Sequence, residues 1–188
     1  MLKLAPIDEK EHPELAELIA RVKKERGGRY GYPYSLLIHN PPIASAWLEL
    51  FAGVRYKTQI DGKLREIVII RVAILNEAGY ERRVHESVHA PKEGLTVEQI
   101  AAIANWRDST VFSEAQRATL AYTDAMTQGV HVPDAIKAEL QRHFDQRQLI
   151  EITVLIGAYN MHARVYHALN MDHRIAMGDG ATPKSHGT

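Results

Sequence analysis

Residues 64–75 form a nearly uninterrupted apolar run, and this run constrains the fold of the chain more than any other feature. Its isoleucine and valine content suits a buried strand as well as a helix, so periodicity alone does not decide between the two. We predict a helix, because the run exceeds the usual strand length and Asp61 can cap its first turn. A helix that is apolar on almost every side belongs in a core or at a subunit interface.

The rest of the chain also has apolar residues at helical spacing, punctuated by glycine and proline. Thr96 and Ser113 are predicted helix N-caps, the second in a capping box with Gln116. The helix that begins at Tyr80 should end near Pro91, because proline disfavours helical geometry in the residue before it. The predicted elements are helices at 8–26, 43–56, 64–75, 80–90, 113–128, 133–144 and 146–169, a helix from Thr96, and a loop at 30–34. The predicted fold class is all-α.

Length and composition indicate one folded domain. The chain has 188 residues, of which 45% are hydrophobic and 24% charged, as is typical of a soluble globular domain. We predict a single all-helical domain over residues 1–176. The sequence after residue 172 is rich in small and polar residues and has no periodic apolar face, so residues 177–188 are expected to form a mobile tail.

Charge and hydropathy exclude several kinds of partner. The 23 basic and 23 acidic residues balance, so no field of one sign attracts nucleic acid or an anionic membrane. No apolar run approaches the roughly 20 residues of a membrane span, and residues 1–10 lack the apolar core of a signal peptide. We therefore expect a cytoplasmic protein that binds neither nucleic acid nor membranes.

Cysteine is absent from the sequence. This excludes a disulfide framework, a thiolate metal site and every mechanism that needs a sulfur nucleophile. Any chemistry must therefore rely on carboxylates and histidine.

Glu81 and His85 are four residues apart, so on a helix they share a face on which a carboxylate can orient or polarise an imidazole. Glu66 lies in the apolar run, where a carboxylate is costly to bury unless it is paired, hydrogen-bonded or protonated. These three groups can therefore converge on one site. The alternative is that Glu66 pairs with Arg65 or Arg71, or faces solvent, while the other two groups lie on an exposed charged helix.

A series of short segments in a fixed order resembles the carboxymuconolactone decarboxylase and alkylhydroperoxidase (AhpD-like) superfamily. The segments are Ala46-Trp47-Leu48, Lys63-Leu64-Arg65-Glu66, Arg71-Val72-Ala73, 78–85, Phe112-Ser113-Glu114, Thr123-Asp124-Ala125, His131-Val132-Pro133, His143-Phe144-Asp145 and Ala158-Tyr159-Asn160-Met161. The resemblance covers most of residues 30–172 and implies the all-α, AhpD-like helical fold. It also implies a homo-oligomer, as a trimer, hexamer or dimer, and the apolar runs at 64–75 and 149–169 favour one as well.

The resemblance extends to the family's reactive motif. Peroxidase members resemble one another in Cys-x-x-Cys-x-x-x-His, with a relay glutamate twelve residues before the first cysteine. Here Ala78 and Glu81 take the cysteine positions, His85 the histidine position and Glu66 the glutamate position. Because no thiolate is present to attack a peroxide, the chain is predicted not to be a thiol peroxidase.

Decarboxylase members resemble Glu-x-x-x-His at this place, which Glu81 and His85 match, although residues 82–84 differ from those expected in the muconolactone enzymes. The resemblance implies a cofactor-free lyase or isomerase that acts on a small carboxylated or lactone substrate. His85 would move a proton beside a carbonyl, Glu81 would orient it, and Glu66 would relay the proton or hold the substrate. The predicted substrate-binding residues are Tyr80, His89 and Tyr34. His131, His162 and His167 are expected at the surface or an interface.

Two alternatives remain. Residues 85–89 also satisfy H-E-x-x-H, in which His85 and His89 would bind zinc and Glu86 would act as the base of a hydrolase. A third ligand is hard to find, because Leu95 stands where metzincins carry a histidine and only Asp108 follows at a thermolysin-like distance. The other alternative is a non-catalytic family member. We predict no metal and no other cofactor.

Overall fold

The computed structural model describes residues 4–171, and in this part of the chain helices are joined by loops and turns, without a strand. The predicted all-α class is confirmed. The α-helices are α1 (Ala16–Glu25), α2 (Tyr32–Leu37), α3 (Pro41–Tyr56), α4 (Gly62–Leu75), α5 (Gly79–Val84), α6 (Ala90–Lys92), α7 (Val97–Ala102), α8 (Glu114–Gln128), α9 (Asp134–Gln141) and α10 (Gln146–Ala168). Pro13–Leu15 and Ile103–Asp108 are 3-10 helices, and His85–His89 is a π-helix.

The described residues fall into two compact units. One contains residues 4–53 and 165–171, and the other contains residues 54–164. The single domain expected over residues 1–176 remains a prediction, and the tail expected at 177–188 lies outside the described residues. None of the described helices is long and apolar enough to cross a membrane.

In the first unit, the predicted loop at 30–34 is wrong. Residues Tyr32–Leu37 are helical, with Gly31 extended at the N-cap and Pro33 in the first turn. Proline fits there because the first helical turn does not need its missing N–H. Trp47, predicted to be a core residue, is buried and stacks on Phe51 with ring centroids 5.1 Å apart.

In the second unit, α4 is the central helix and packs against α5 and α8. The predicted cap is confirmed, since the Asp61 carboxylate accepts a hydrogen bond from the backbone N–H of Leu64 at 3.1 Å. Apolar residues of α4 join a core with residues from the segments that follow, namely Ile67, Ile70, Ala90, Leu95, Ile103, Trp106, Phe112 and Leu120. The chain itself thus covers most of the apolar residues of α4.

The caps predicted at Thr96 and Ser113 are confirmed, and both form capping boxes. The helix ends at Lys92, close to the end predicted near Pro91, and Gly94 follows with a φ of +84°. Pro91 itself lies within the helical stretch, after a π-helix whose wider turn closes on the hydrogen bond from the N–H of Ala90 to the carbonyl of His85. This altered pattern accommodates a proline that cannot donate.

A buried ion pair joins α4 to α8. Arg71 donates to both carboxylate oxygens of Asp124, at 2.5 and 3.1 Å. Asp124 also accepts hydrogen bonds from the Trp106 indole at 3.1 Å and from Arg107 at 2.6 Å. The predicted alternative in which Arg71 pairs with Glu66 is therefore wrong, and Glu66 must find another partner.

Candidate active site

Glu66 and His85 meet in the interior of the second unit, and each is only 1% exposed. Glu66 lies on α4, and His85 begins the π-helix that follows α5. The Nδ1 atom of His85 lies 2.5 Å from Oε2 of Glu66, and its Nε2 atom lies 3.2 Å from Oε1 of Glu81. The structure thus brings together all three predicted catalytic residues, and both ring nitrogens of His85 face a carboxylate.

Two carboxylate acceptors require two N–H donors, so this geometry calls for the imidazolium form of His85. Burial alone would lower the pKa of His85, but hydrogen bonds and Coulomb attraction to Glu66 and Glu81 outweigh it and raise the pKa above its ordinary value of 6.5. Burial would likewise raise the pKa of Glu81, yet the charges of His162, His85 and Arg55 lower it to about 2. His85 is therefore a protonated group between two anions.

The alternative that Glu81 and His85 lie on an exposed charged helix is wrong, because only the intervening Arg82 and Arg83 face solvent. The other predicted partner of Glu66, Arg65, forms an ion pair with it as well as with Glu93. Its Nε lies 3.8 Å from the Glu66 carboxylate, while its Nη2 donates to Glu93 at 2.7 Å.

Two aromatic residues of α10 complete the surroundings of His85. Tyr159 is buried and meets the His85 ring edge-on, with centroids 5.8 Å apart. His162, which the sequence placed at the surface or an interface, is 7% exposed and lies 3.9 Å from Oε2 of Glu81. Helical spacing places His162 one turn after Tyr159, but the sequence carries no signal for which face of α10 is covered. Of the other two, His131 and His167 are exposed.

Arg55, in the last turn of α3, is a charged residue of the site that sequence reasoning missed. Its guanidinium stacks over Tyr56 at 5.3 Å, and its Nε is buried with no hydrogen-bond partner among the described residues. Burial would lower the pKa of Arg55, but the neighbouring groups Tyr159, Tyr56, Glu66 and Glu81 raise it. A charged group in the last turn of a helix gives no hint in the sequence that it will be buried.

Of the three predicted substrate-binding residues, His89 lies next to His85, Tyr80 lies on α5 and Tyr34 belongs to the first unit. His89 is half-buried, its ring lies 4.8 Å from that of His85, and it makes no side-chain hydrogen bond to another described residue. Burial and the charges of Arg55 and His85 lower the pKa of His89 to about 4, so it is neutral at pH 7. Tyr80 is half-buried in the first turn of α5. Tyr34 belongs to the first unit, where it is buried and accepts hydrogen bonds from Arg26.

Comparisons with known proteins agree with this architecture. Residues 41–125 match the sequence profile of the carboxymuconolactone decarboxylase family. The chain belongs to the carboxymuconolactone decarboxylase (AhpD-like) superfamily. The predicted family is thereby confirmed, and the matched residues include Glu66, Glu81 and His85.

Two bacterial relatives of this superfamily member are similar in sequence. The uncharacterized protein YnjA of Escherichia coli K12 is 31% identical over 126 residues, which span 66% of this chain and 66% of YnjA. The uncharacterized protein YdfG of Bacillus subtilis 168 is 26% identical over 130 residues, or 68% of this chain and 82% of YdfG. The chain thus spans about two thirds of YnjA.

Among solved structures, a variant of the debrominase Bmp8 in complex with 2,3,4-tribromopyrrole has a similar fold, with a TM-score of 0.76 and 20% identity over 95% of this chain and 98% of that chain. A protein of unknown function from Agrobacterium tumefaciens, ATU0492, is 26% identical, with a TM-score of 0.66 over 70% of this chain and 90% of that chain. The AhpD-like fold is therefore shared beyond the residues that match the family profile.

Where peroxidases of the superfamily carry cysteines, this chain carries groups without sulfur. Ala78 is buried in a cluster of small residues with Ala73 and Ala163, and Glu81 binds His85. The site can transfer protons and hold charge, but it contains no thiol to oxidise.

The H-E-x-x-H pattern does not assemble a zinc site in this geometry. Both nitrogens of His85 face carboxylates, and Glu86 accepts a hydrogen bond from Arg82 at 2.7 Å. In the part of the chain that the structure describes, no group of three or more His, Cys, Asp or Glu side chains is arranged to hold a metal ion. The residues of the motif therefore do not fit a catalytic zinc, which needs three protein ligands and an open position.

Proposed function

We propose that this protein is a cofactor-free proton-transfer enzyme, a lyase or isomerase that acts on a small carboxylated or lactone substrate. The observation that carries the proposal is the array of Glu66, His85 and Glu81, in which a buried imidazolium is held between two carboxylates. Such an array stores one proton away from solvent and offers it through the less buried carboxylate, Glu81, whose side chain is 15% exposed. We do not propose peroxide reduction, since the chain has no cysteine.

A decarboxylation needs an acid of this kind. When the C–C bond to the substrate carboxylate breaks, carbon dioxide leaves and the bonding electrons move to a carbon conjugated with the carbonyl. In our proposal the proton on Nε2 of His85 passes by way of Glu81 to that carbon, and His85 regains a proton from water. Glu66 keeps Nδ1 bonded throughout, which holds the ring in place and favours its charged form.

An isomerisation would need a base as well as this acid. His89 suits that role, because it is neutral, partly accessible and next to His85. We propose that His89 takes a proton from the carbon beside the carbonyl and that His85 returns one elsewhere on the conjugated system.

Tyr80 and Tyr34 remain proposed substrate contacts. The debrominase Bmp8 of similar fold binds a small ring compound, so a ligand of that size is compatible with the fold.

We further propose that the protein works in the cytoplasm as a homo-oligomer, as a dimer, trimer or hexamer. On α10, Ile150, Val154 and Met161 are 65%, 43% and 37% exposed, and their spacing places them along one side of the helix. An exposed apolar stripe of this kind supports association with a second copy.

The function is tested with a panel of small carboxylated lactones in D₂O. The proposal predicts that the wild-type protein incorporates solvent deuterium into product or releases carbon dioxide, and that chelators leave this activity intact. His85→Gln and Glu81→Gln should each lose about 100- to 10,000-fold in rate, which is the usual contribution of general acid–base catalysis. The matched control is Glu86→Gln, on the same helical segment, which should keep the wild-type rate.

The control also separates the alternatives. A hydrolase that uses H-E-x-x-H would lose its activity with Glu86→Gln and with chelation, and either result would contradict our proposal. A wild-type protein that exchanges no deuterium with any member of the panel would favour the non-catalytic family member.

A further inference from the structure

The guanidinium of Arg55 lies close to the acid–base array without being bonded to it. The charges of Glu66 and Glu81 both act on Arg55, yet neither carboxylate lies within ion-pair distance of it. One oxygen of each carboxylate, Oε2 of Glu66 and Oε1 of Glu81, is bonded to His85. Arg55 therefore carries a charge to which the described residues supply attraction but no direct acceptor.

One buried hydrogen-bond donor of Arg55 is left unpaired by the described residues around it. Its Nε atom is buried and has no hydrogen-bond partner among the described residues. A buried donor without an acceptor costs about 1–3 kcal/mol, and more when the group is charged, so such a donor calls for an explanation. The ring of Tyr56 supports one face of the guanidinium and fixes its plane, but a ring accepts no in-plane hydrogen bond.

We propose that Arg55 is the anchor for a carboxylate group of the ligand, bound beside His89 and within reach of the Glu66–His85–Glu81 array. The terminal Nη1 and Nη2 atoms of this planar guanidinium make no hydrogen bond to another described residue, and they present the fork that a carboxylate fills with two parallel hydrogen bonds. This inference deepens the proposed function, since it names the substrate group that is bound and the residue that binds it. Its test requires only binding, so it can fail independently of the reaction.

Anion binding at Arg55 has a consequence for His89. The groups whose charges act on His89 are Arg55 and His85, which disfavour its protonation, and Glu66 and Glu81, which favour it. A bound carboxylate compensates the charge of Arg55, so the pKa of His89 should rise from about 4 towards its ordinary value of 6.5. The ligand that Arg55 binds would thereby strengthen the base beside it.

The experiment is an NMR titration of the full-length protein with succinate as the probe, and with neutral succinamide as its control. The His89 signal, one of ten histidines, is assigned by its loss in His89→Gln. We expect succinate, and not succinamide, to bind and to raise the pKa of His89. Arg55→Met should weaken binding about 10- to 100-fold, as expected for loss of hydrogen bonds to a charged group, and should abolish the ligand-induced shift.

Two further variants keep the test decisive. Arg55→Lys retains the charge but lacks the planar fork, so it should fold and yet bind succinate more weakly than the wild type. Arg83→Met removes an exposed arginine of α5 and should leave binding unchanged. The inference is overturned if succinate leaves the pKa of His89 unchanged, or if Arg55→Lys and Arg55→Met bind it as tightly as the wild type does. In that event, loss of turnover in His85→Gln would still support the proposed function.

Discussion

His85 donates from Nδ1 to the Glu66 carboxylate over 2.5 Å, although 19 residues separate the two in sequence. Both side chains are nearly inaccessible, so each has lost its hydration. A buried ion pair recovers this cost only in part, and apolar residues of similar volume are often as stabilising. The pair is therefore poorly explained by stability alone, and the proton transfer that we propose gives two ionisable groups in the interior a function.

The first prediction concerns the pH dependence of stability at Glu81. Its pKa is about 2 in the folded protein, against an ordinary value of 4.5. A carboxylate whose pKa is lowered by folding stabilises the fold above pH 4.5. This stabilisation is lost as the pH falls from 4.5 towards 2. The contribution at pH 7 is about 3 kcal/mol at most. Glu81→Gln should therefore lower the free energy of unfolding at pH 7 and have a smaller effect at pH 3.

Urea denaturation of both proteins at a series of pH values measures this difference. Glu86→Gln is the control, because Glu86 forms a partly exposed pair with Arg82 that is worth about 0.5 kcal/mol or less. A penalty for Glu81→Gln that is the same at pH 7 and pH 3 would contradict the prediction.

The second prediction concerns the ion pair between Arg71 and Asp124. Asp124→Asn keeps the shape of the side chain but leaves the Arg71 guanidinium buried without a counter-ion, so it should destabilise the fold by about 3–5 kcal/mol. The double variant Arg71→Met/Asp124→Leu removes both charges. Its loss of unfolding free energy should be smaller than the sum of the losses in Arg71→Met alone and Asp124→Leu alone. Chemical denaturation of the single and double variants gives the coupling energy, and strictly additive effects would refute this interpretation. Glu139→Gln, in the exposed pair with Arg142, is the control and should change little.

The sequence was sufficient where the structure follows from local chemistry. The caps at Asp61, Thr96 and Ser113 bond to backbone groups three residues away, so short-range patterns identify them. The loop predicted at 30–34 was an error because glycine and proline are typical of loops, whereas Pro33 lies in the first turn of α2, a position that accommodates proline. Pro91 lies within a helical stretch that a π-helix precedes.

The site was predictable only in part. Spacing placed Glu81 and His85 on one face, and the resemblance to a known family suggested Glu66 as their partner. The buried Nε of Arg55 and the buried ring of His162 were not anticipated, because their burial depends on tertiary packing and not on local sequence. Such tertiary packing produces no periodic sequence pattern around a single charged residue.

The third prediction concerns the exposed apolar stripe on α10. A glutamate within it would place a charge in the interface between subunits, so Ile150→Glu and Val154→Glu should shift the protein towards monomer. Val130→Glu changes an exposed valine outside α10 and should leave the assembly intact. Sedimentation velocity measures the distribution. A monomeric wild type at micromolar concentration would argue against the proposed oligomer, as would variants that assemble normally.

The most direct test of the proton-transfer account is the protonation state of His85, measured by ¹⁵N NMR of the imidazole between pH 5 and 10. We predict that at pH 7 the ring of His85 carries protons on both nitrogens and titrates above 6.5, its ordinary pKa, because Glu66 and Glu81 accept from it. Glu66→Gln and Glu81→Gln should each lower that pKa. A His85 that is neutral at pH 7 and titrates identically in both variants would contradict the account.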